Sequence, residues 1–236
     1  MLRIKNLTKK YGDFTAVDDL TLDIAPGEIC AFIGHNGAGK TTTLKCAIGI
    51  HTFDEGEIYI DGISVKTDPL TAKSRTAYIP DNPDVYEFLS GIQFLNLIAD
   101  IFGVSAEERN ARINDLADRF ELTSALGTKI GSYSHGMKQK LVIISAFLHS
   151  PKLIMMDEPF VGLDPKASHI LKELMREHCT SGGSIFFSTH VLDVAEKLCD
   201  RVAIIKGGRL VKQGRMDEVR GDASLEEVFL ELEGEE

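Results

Sequence analysis

The stretch "GHNGAGKTT", residues 34–42, constrains this chain more than any other part of it. Three glycines in its first six residues leave backbone without shielding side chains, so its N–H groups can approach an anion closely. The run before it, "EICAFIG", is short, continuous and apolar, as expected of a strand buried on both faces. The run after it, "KTTTLKCAIGI", has helical spacing. A strand, a glycine loop and a helix in that order, with Gly34, Gly39, Lys40 and Thr41 fitting G-x-x-x-x-G-K-[ST], describe a phosphate-binding loop. In such a loop the Lys40 ammonium reaches the outer phosphates, the Thr41 hydroxyl coordinates Mg²⁺ and the helix N-terminus adds partial positive charge. The expectation is a nucleoside triphosphate site in an α/β fold.

The rest of the chain extends that expectation. The strand-like runs "KLIMMD" and "GSIFFSTH" alternate with helical patterns at "KASHILKELMREH" and "VLDVAEKLCD", which implies a mostly parallel sheet flanked by helices. The opening runs "LRIKNLTKKY" and "LTLDIAPGE" alternate in the antiparallel manner and close at a Pro26-Gly27 turn. From Asp81 to about Ser150 the pattern is helical, with Ser90 followed three residues on by Gln93 ahead of "FLNLIADIF". That segment reads as an inserted helical subdomain. "RVAIIKGGRLVKQG" reads as a hairpin turning at Gly207 and Gly208, and "SLEEVFLELEGEE" as a short amphipathic helix with a frayed tip. All 236 residues are expected in one P-loop NTPase domain: a core of about 1–80 and 151–220, a helical subdomain of about 81–150 and an acidic tail, 221–236.

Composition limits the partners. With 26 basic and 36 acidic residues the formal charge is −10, which argues against a nucleic-acid surface, because phosphate backbones are held by clustered Lys and Arg. Cys30, Cys46, Cys179 and Cys199 stand far apart without metal-ligand spacing and read as buried thiols in a reducing compartment. The first residues lack the apolar core of a secretory signal, and no apolar run approaches the roughly 20 residues of a bilayer span. The expectation is a cytosolic protein.

In open parallel sheets, ligands collect at the carboxyl ends of the strands. Three such ends carry chemistry: "KLIMMDE" finishes with Asp157 and Glu158, "FFSTH" with His190 and "TAYIPD" with Asp81. Asp157 is suited to hold Mg²⁺ through water, and Glu158, one residue further, to orient or deprotonate an attacking water. His190 would contact the γ-phosphate, and Tyr11, in "KKYG", would stack on the base.

Together "GHNGAGKTTTL", "YSHGMKQKL", "KLIMMDEP", "GLDP" and "STH", in this order, resemble the nucleotide-binding subunit of ABC transporters over nearly the whole chain. The resemblance implies an ATPase with the catalytic set Glu158, His190 and Lys40, and with Asn36, Gly37, Ala38 and Thr42 joining the loop residues around MgATP. It implies metal contacts from Thr41, Asp157 and Asp81. It also implies that two subunits, identical or related, face head to tail, with the signature segment of one covering the ATP of the other. Ser134 would cap its helix and donate to that γ-phosphate, Gly136 would allow close approach, and Asp164 would lie on the same interface. Integral membrane permease subunits are the implied partners, which would hold the chain on the inner face of the cell membrane.

Two segments depart from the family pattern. The signature reads "YSHGM", with His135 and Met137 where glycine and glutamine are usual, and Asp81 stands where a glutamine is expected. Both departures resemble those of exporter branches handling drugs, peptides or antibiotics. "NPDVYEFLSG" is the expected contact with the membrane partner, through Tyr86, Phe88 and Leu89. A soluble ATPase clamping ribosomes or DNA is the competing reading, but it calls for a second nucleotide domain, a coiled coil or a basic surface. A GTPase switch calls for an NKxD motif, which this sequence lacks.

Overall fold

Hydrophobic alternation builds the first layer of this computed structural model, which describes residues 1–83 and 85–234. β1 (Leu2–Tyr11) and β2 (Phe14–Ile24) form an antiparallel hairpin whose inward positions, from Leu2 and Ile4 to Leu22 and Ile24, are fully buried. After β3 (Ile29–Ile33) and α1 (Lys40–Ala47) come β4 (Glu55–Ile60) and β5 (Ile63–Ser64), which complete a four-stranded sheet in the order β2-β1-β4-β5. The chain returns through α2 (Pro69–Ser74), capped by Asp68, to β6 (Thr76–Ile79).

The inserted helices follow: α3 (Gly91–Ile101), α4 (Ala106–Arg119) and α5 (His135–Leu148). Each begins at a serine whose hydroxyl accepts a first-turn N–H, and Ser90 with Gln93 forms the full reciprocal box expected of that spacing. α5 is buried nearly all round from Leu141 to Leu148, because it lies between the other helices and the sheet. The core then alternates through β7 (Leu153–Asp157), α6 (Pro165–Thr180), β8 (Ser184–Thr189), α7 (Leu192–Leu198), β9 (Arg201–Lys206) and β10 (Arg209–Arg215), and ends with α8 (Met216–Arg220) and α9 (Leu225–Gly234).

The second sheet runs β10-β9-β3-β8-β7-β6 and is parallel except for the β9–β10 hairpin. Its central strands are buried on both faces, and their side chains divide by the period of two. Ala31, Ile154 and Phe187 face the helices, whereas Phe32, Met155 and Phe186 face α1 and the antiparallel sheet. All four cysteines are buried and free, and burial pushes the thiols of Cys30 and Cys179 up to about 12.

This topology delivers the site. Parallel pairing sets Ile33 opposite Thr189, and Asp157 opposite Ser188, so the carboxyl ends of β3, β7 and β8 stand in one row. α9 packs down: Leu225, Val228 and Phe229 share one stripe of the helix and are buried against the core.

Candidate active site

The phosphate loop is held low on the sheet. At Gly34 an added Cβ would lie 2.4 Å from the Ile205 carbonyl oxygen, and at Gly39, with φ +109°, 2.6 Å from that of Ala16. Only glycine permits either approach. Gly39 is also the N-cap of α1, so no side chain of its own caps that first turn. The Lys40 ammonium donates to the carbonyls of Gly34 (2.5 Å) and His35 (3.2 Å) and lies 3.9 Å from Glu158 Oε1. Burial holds its pKa below the ordinary lysine value, while Glu158 and Asp157 pull it upward. The loop borders a cleft of about 310 Å³ whose lining includes Asn36, Gly37, Thr41, Thr42, Asp81, Asp157 and Glu158. Ala38 is buried beneath it, its carbonyl accepting from Gly208 N at 3.0 Å.

The two strand-end acids differ in setting. Asp157 is 1% exposed; its Oδ1 accepts from the Ser188 hydroxyl, while its Oδ2 is buried with no hydrogen-bond partner. The same Ser188 oxygen accepts the Glu158 N–H at 3.0 Å. Glu158 sits at φ +46°, a left-handed conformation unusual for a side-chain-bearing residue and common where strain serves a site. Its Oε2 meets His190 Nδ1 at 3.0 Å. His190 lies one residue beyond β8 with its side chain 58% exposed, so it is no core histidine.

At the cleft mouth Tyr11 and Phe14 face each other across the β1–β2 turn, 46% and 63% exposed. Lys9 lies over the Tyr11 ring, 4.9 Å from its centroid. Asp81 is exposed at the other side and accepts the Asn82 N–H at 2.8 Å, which turns one carboxylate oxygen back on its own loop.

The signature segment stands apart from this cleft. Ser134 is exposed and caps α5, accepting from Met137 N at 3.3 Å. A Cβ on Gly136 would come 3.1 Å from the Gly162 carbonyl, and one on Gly162 would strike His135, so the two segments are packed together. Lys140 binds Asp164 at 2.8 Å, and Asp164 caps α6 through Ala167 N. The Lys140 bond, with the Ala167 N–H, holds the Asp164 carboxyl below the usual range.

A family model described as ABC transporter matches residues 17–161. The chain belongs to the ABC transporter family. It is 36% identical to the ABC-type transporter ATP-binding protein EcsA of Bacillus subtilis (strain 168), across 100% of this chain and 98% of that protein. A solved ATP-binding subunit of an ABC transporter matches with a TM-score of 0.96 at 39% identity, over 99% of each chain. A dimeric ATP-binding cassette in a post-hydrolysis state, bound to ADP and Pi, matches with a TM-score of 0.82 at 26% identity, over 92% of this chain and 99% of that one. As a member of the ABC family this chain binds and hydrolyses ATP.

Within this ABC subunit the structure brings Lys40, Thr41, Asp157, Glu158 and His190 together, with Tyr11 and Asp81 at the rim, and keeps Ser134 and Gly136 outside the cleft. Of the three apolar residues expected to meet a membrane partner, Leu89 is half-buried and packs against the core, whereas Tyr86 and Phe88 are 54% and 74% exposed. Asp84 of the same stretch lies outside the described residues. Sequence reasoning missed Ser188, whose role depends on strand register, and Tyr78. The Tyr78 hydroxyl is buried without a partner, and burial, then Asp157 and Asp81, push its pKa up.

Proposed function

We propose that this chain is the ATP-driven motor of a transporter, closing as a dimer around two MgATP and working through integral membrane permease subunits. The observation that carries the proposal is the strand-end cluster: Ser188 ties the Asp157 carboxylate to the Glu158 backbone N–H, and the Glu158 carboxylate lies beside Lys40 in the same cleft, with His190 bonded to it.

Backbone amides of the loop from Asn36 to Thr42 and the Lys40 ammonium hold the phosphates, with Tyr11 stacking on the base. Asp157 Oδ2, buried and unpartnered, fits a hydrated Mg²⁺, with Thr41 as a second contact and Asp81 reaching the cation's water from the rim. Among the described residues no group of three or more His, Cys, Asp or Glu forms a protein-only cage, which suits a cation held largely by phosphate and water. When bound, Mg²⁺ neutralises charge on the phosphates. Glu158 Oε1, buried and without a hydrogen-bond partner, is aimed to orient the attacking water and take its proton. His190 holds the other Glu158 oxygen and stands exposed, where the γ-phosphate of a closed dimer would meet it.

Ser134 and Gly136 lie on the exposed start of α5, suited to cover ATP bound by a second subunit, homologous or identical. ATP drives closure because it binds the closed state more tightly than the open one. Tyr86 and Phe88, with Ile101 of α3 at 65% exposure, supply an apolar surface for the membrane subunit. No helix among the described residues is long and apolar enough to cross a membrane, so attachment to its inner face would come through that partner. The signature and Asp81 departures support export as the direction.

The test is the solution mass of Glu158→Gln with and without MgATP. Hydrolysis slowed by about 10²–10⁴-fold should trap a doubled mass, and Ser134→Arg in the same background should abolish it. A Glu158→Gln protein that hydrolyses ATP at the wild-type rate would overturn the assignment.

A further inference from the structure

The amphipathic helix α9 touches both α7 and the phosphate loop. Its first N–H, from Leu225, donates to Glu196 Oε2 on α7 at 2.9 Å, and α7 begins two residues beyond His190. Arg220 holds the other Glu196 oxygen at 2.7 Å, fixing that end. One turn on, the Phe229 ring meets the His35 ring edge-on, with centroids 5.2 Å apart and planes at 63°. His35 is the second residue of the phosphate loop, and its carbonyl accepts from both Lys40 Nζ at 3.2 Å and Ala38 N at 3.1 Å. Near the helix end, the Leu232 carbonyl accepts from Lys206 Nζ at 3.0 Å, on the strand whose Ile205 supports Gly34.

We infer that α9 braces the phosphate loop, and that Phe229 is a positioning residue for phosphate binding, acting through His35. The inference rests on the reading of residues 34–42 as the phosphate site, and adds a contact from nearly two hundred positions away in the chain. A loop of small residues gains little rigidity from its own packing, so it takes its shape from what it touches. Gly34 meets Ile205 from below, Ala38 is bonded by Gly208, and His35, the bulkiest loop residue before Lys40, meets Phe229. Phe229 is 8% exposed, and the stripe of Leu225, Val228 and Phe229 seats α9 in one register. The ring contact thus adds a support to the residue whose carbonyl anchors Lys40.

The experiment is titration calorimetry of MgADP on the whole chain, since ADP contacts the loop without requiring a closed dimer. Phe229→Leu keeps an apolar side chain in the same place and removes the ring contact. It should weaken MgADP binding about 2–10-fold, the range an aromatic pair supports, with the melting temperature changed little. Phe229→Tyr keeps the ring and should bind as wild type. His35→Leu should weaken binding at least as much, and the double variant no further than His35→Leu alone, since the ring contact is already lost there. Unchanged affinity in Phe229→Leu, or effects of the two substitutions that add, would overturn the brace. Lys40→Ala separates the two ideas: if it abolishes binding while Phe229→Leu is silent, only the brace fails. If Lys40→Ala binds as wild type, the phosphate-site reading fails and the brace with it.

Discussion

Replacing Ser188 by alanine tests how the two strand-end acids are held. The hydroxyl donates to Asp157 Oδ1 and accepts the Glu158 N–H at 3.0 Å, and both Ser188 and Asp157 are at most 1% exposed. A hydrogen bond to a charged group contributes about 1.5–3 kcal/mol and a neutral one about 0.5–1.5 kcal/mol, so losing both costs about 2–4.5 kcal/mol. For a domain of this size that lowers the melting temperature by roughly 5–15 °C. Ser184→Ala is the control: it lies on the same strand at the end away from the cleft, and its hydroxyl makes one bond to the Ala25 carbonyl at 2.9 Å. It should cost about 1 kcal/mol and leave hydrolysis alone. Ser188→Ala should also lower kcat far more than it raises the KM for ATP, because it frees the left-handed Glu158 backbone while the Lys40 loop keeps its own supports. Urea unfolding and steady-state ATPase kinetics read both effects. A Ser188→Ala protein within about 1 kcal/mol of wild type, or one with raised KM and unchanged kcat, would refute the account.

Gly136→Ala places a Cβ 3.1 Å from the Gly162 carbonyl, a tight contact offset by the ~1 kcal/mol alanine gains in a helix. Stability should stay near wild type while the MgATP-dependent mass of the Glu158→Gln background falls, as light scattering would show. Lys138 of α5 pairs with Glu87, between the exposed Tyr86 and Phe88, and the same segment bonds residues 130 and 131 through Leu89 O and Glu87 O at 2.9 and 3.0 Å. Lys138→Glu should cut ATPase stimulation by the membrane subunits with under ~1 kcal/mol lost in stability, and the swapped pair Glu87→Lys/Lys138→Glu should restore it. Burial lowers the His178 pKa to about 4 from the ordinary 6.5, so the unfolded chain takes up a proton that the folded chain refuses. Stability should therefore fall as pH drops from 6.5 to about 4, by at most ~3 kcal/mol, and urea midpoints for His178→Gln should show a flatter profile over that window.

What could be read from the sequence divides by the distance over which each rule acts. Residues 34–42 were legible because a phosphate loop is a local object: strand, glycines, lysine and helix follow within one stretch. The acids of "MMDE" were legible because an apolar run that ends in charge marks a strand's carboxyl end, and parallel sheets gather those ends. Ser188 was not, because it becomes a ligand of Asp157 only through the register that sets it opposite that residue, 31 positions away, and nothing in "FFSTH" announces a partner. The same limit separates Leu89 from Phe88: the stretch around them has no period from which to tell an inward side chain from an outward one. For α9 the spacing of Leu225, Val228, Phe229 and Leu232 declares a buried stripe but not what buries it. That the stripe meets His35 follows from β9 lying beside β3, a neighbour relation set by the whole sheet. The most informative residues outside the motifs are thus those whose partners are fixed by strand order, and substitutions at Ser188 and Phe229 probe that order directly.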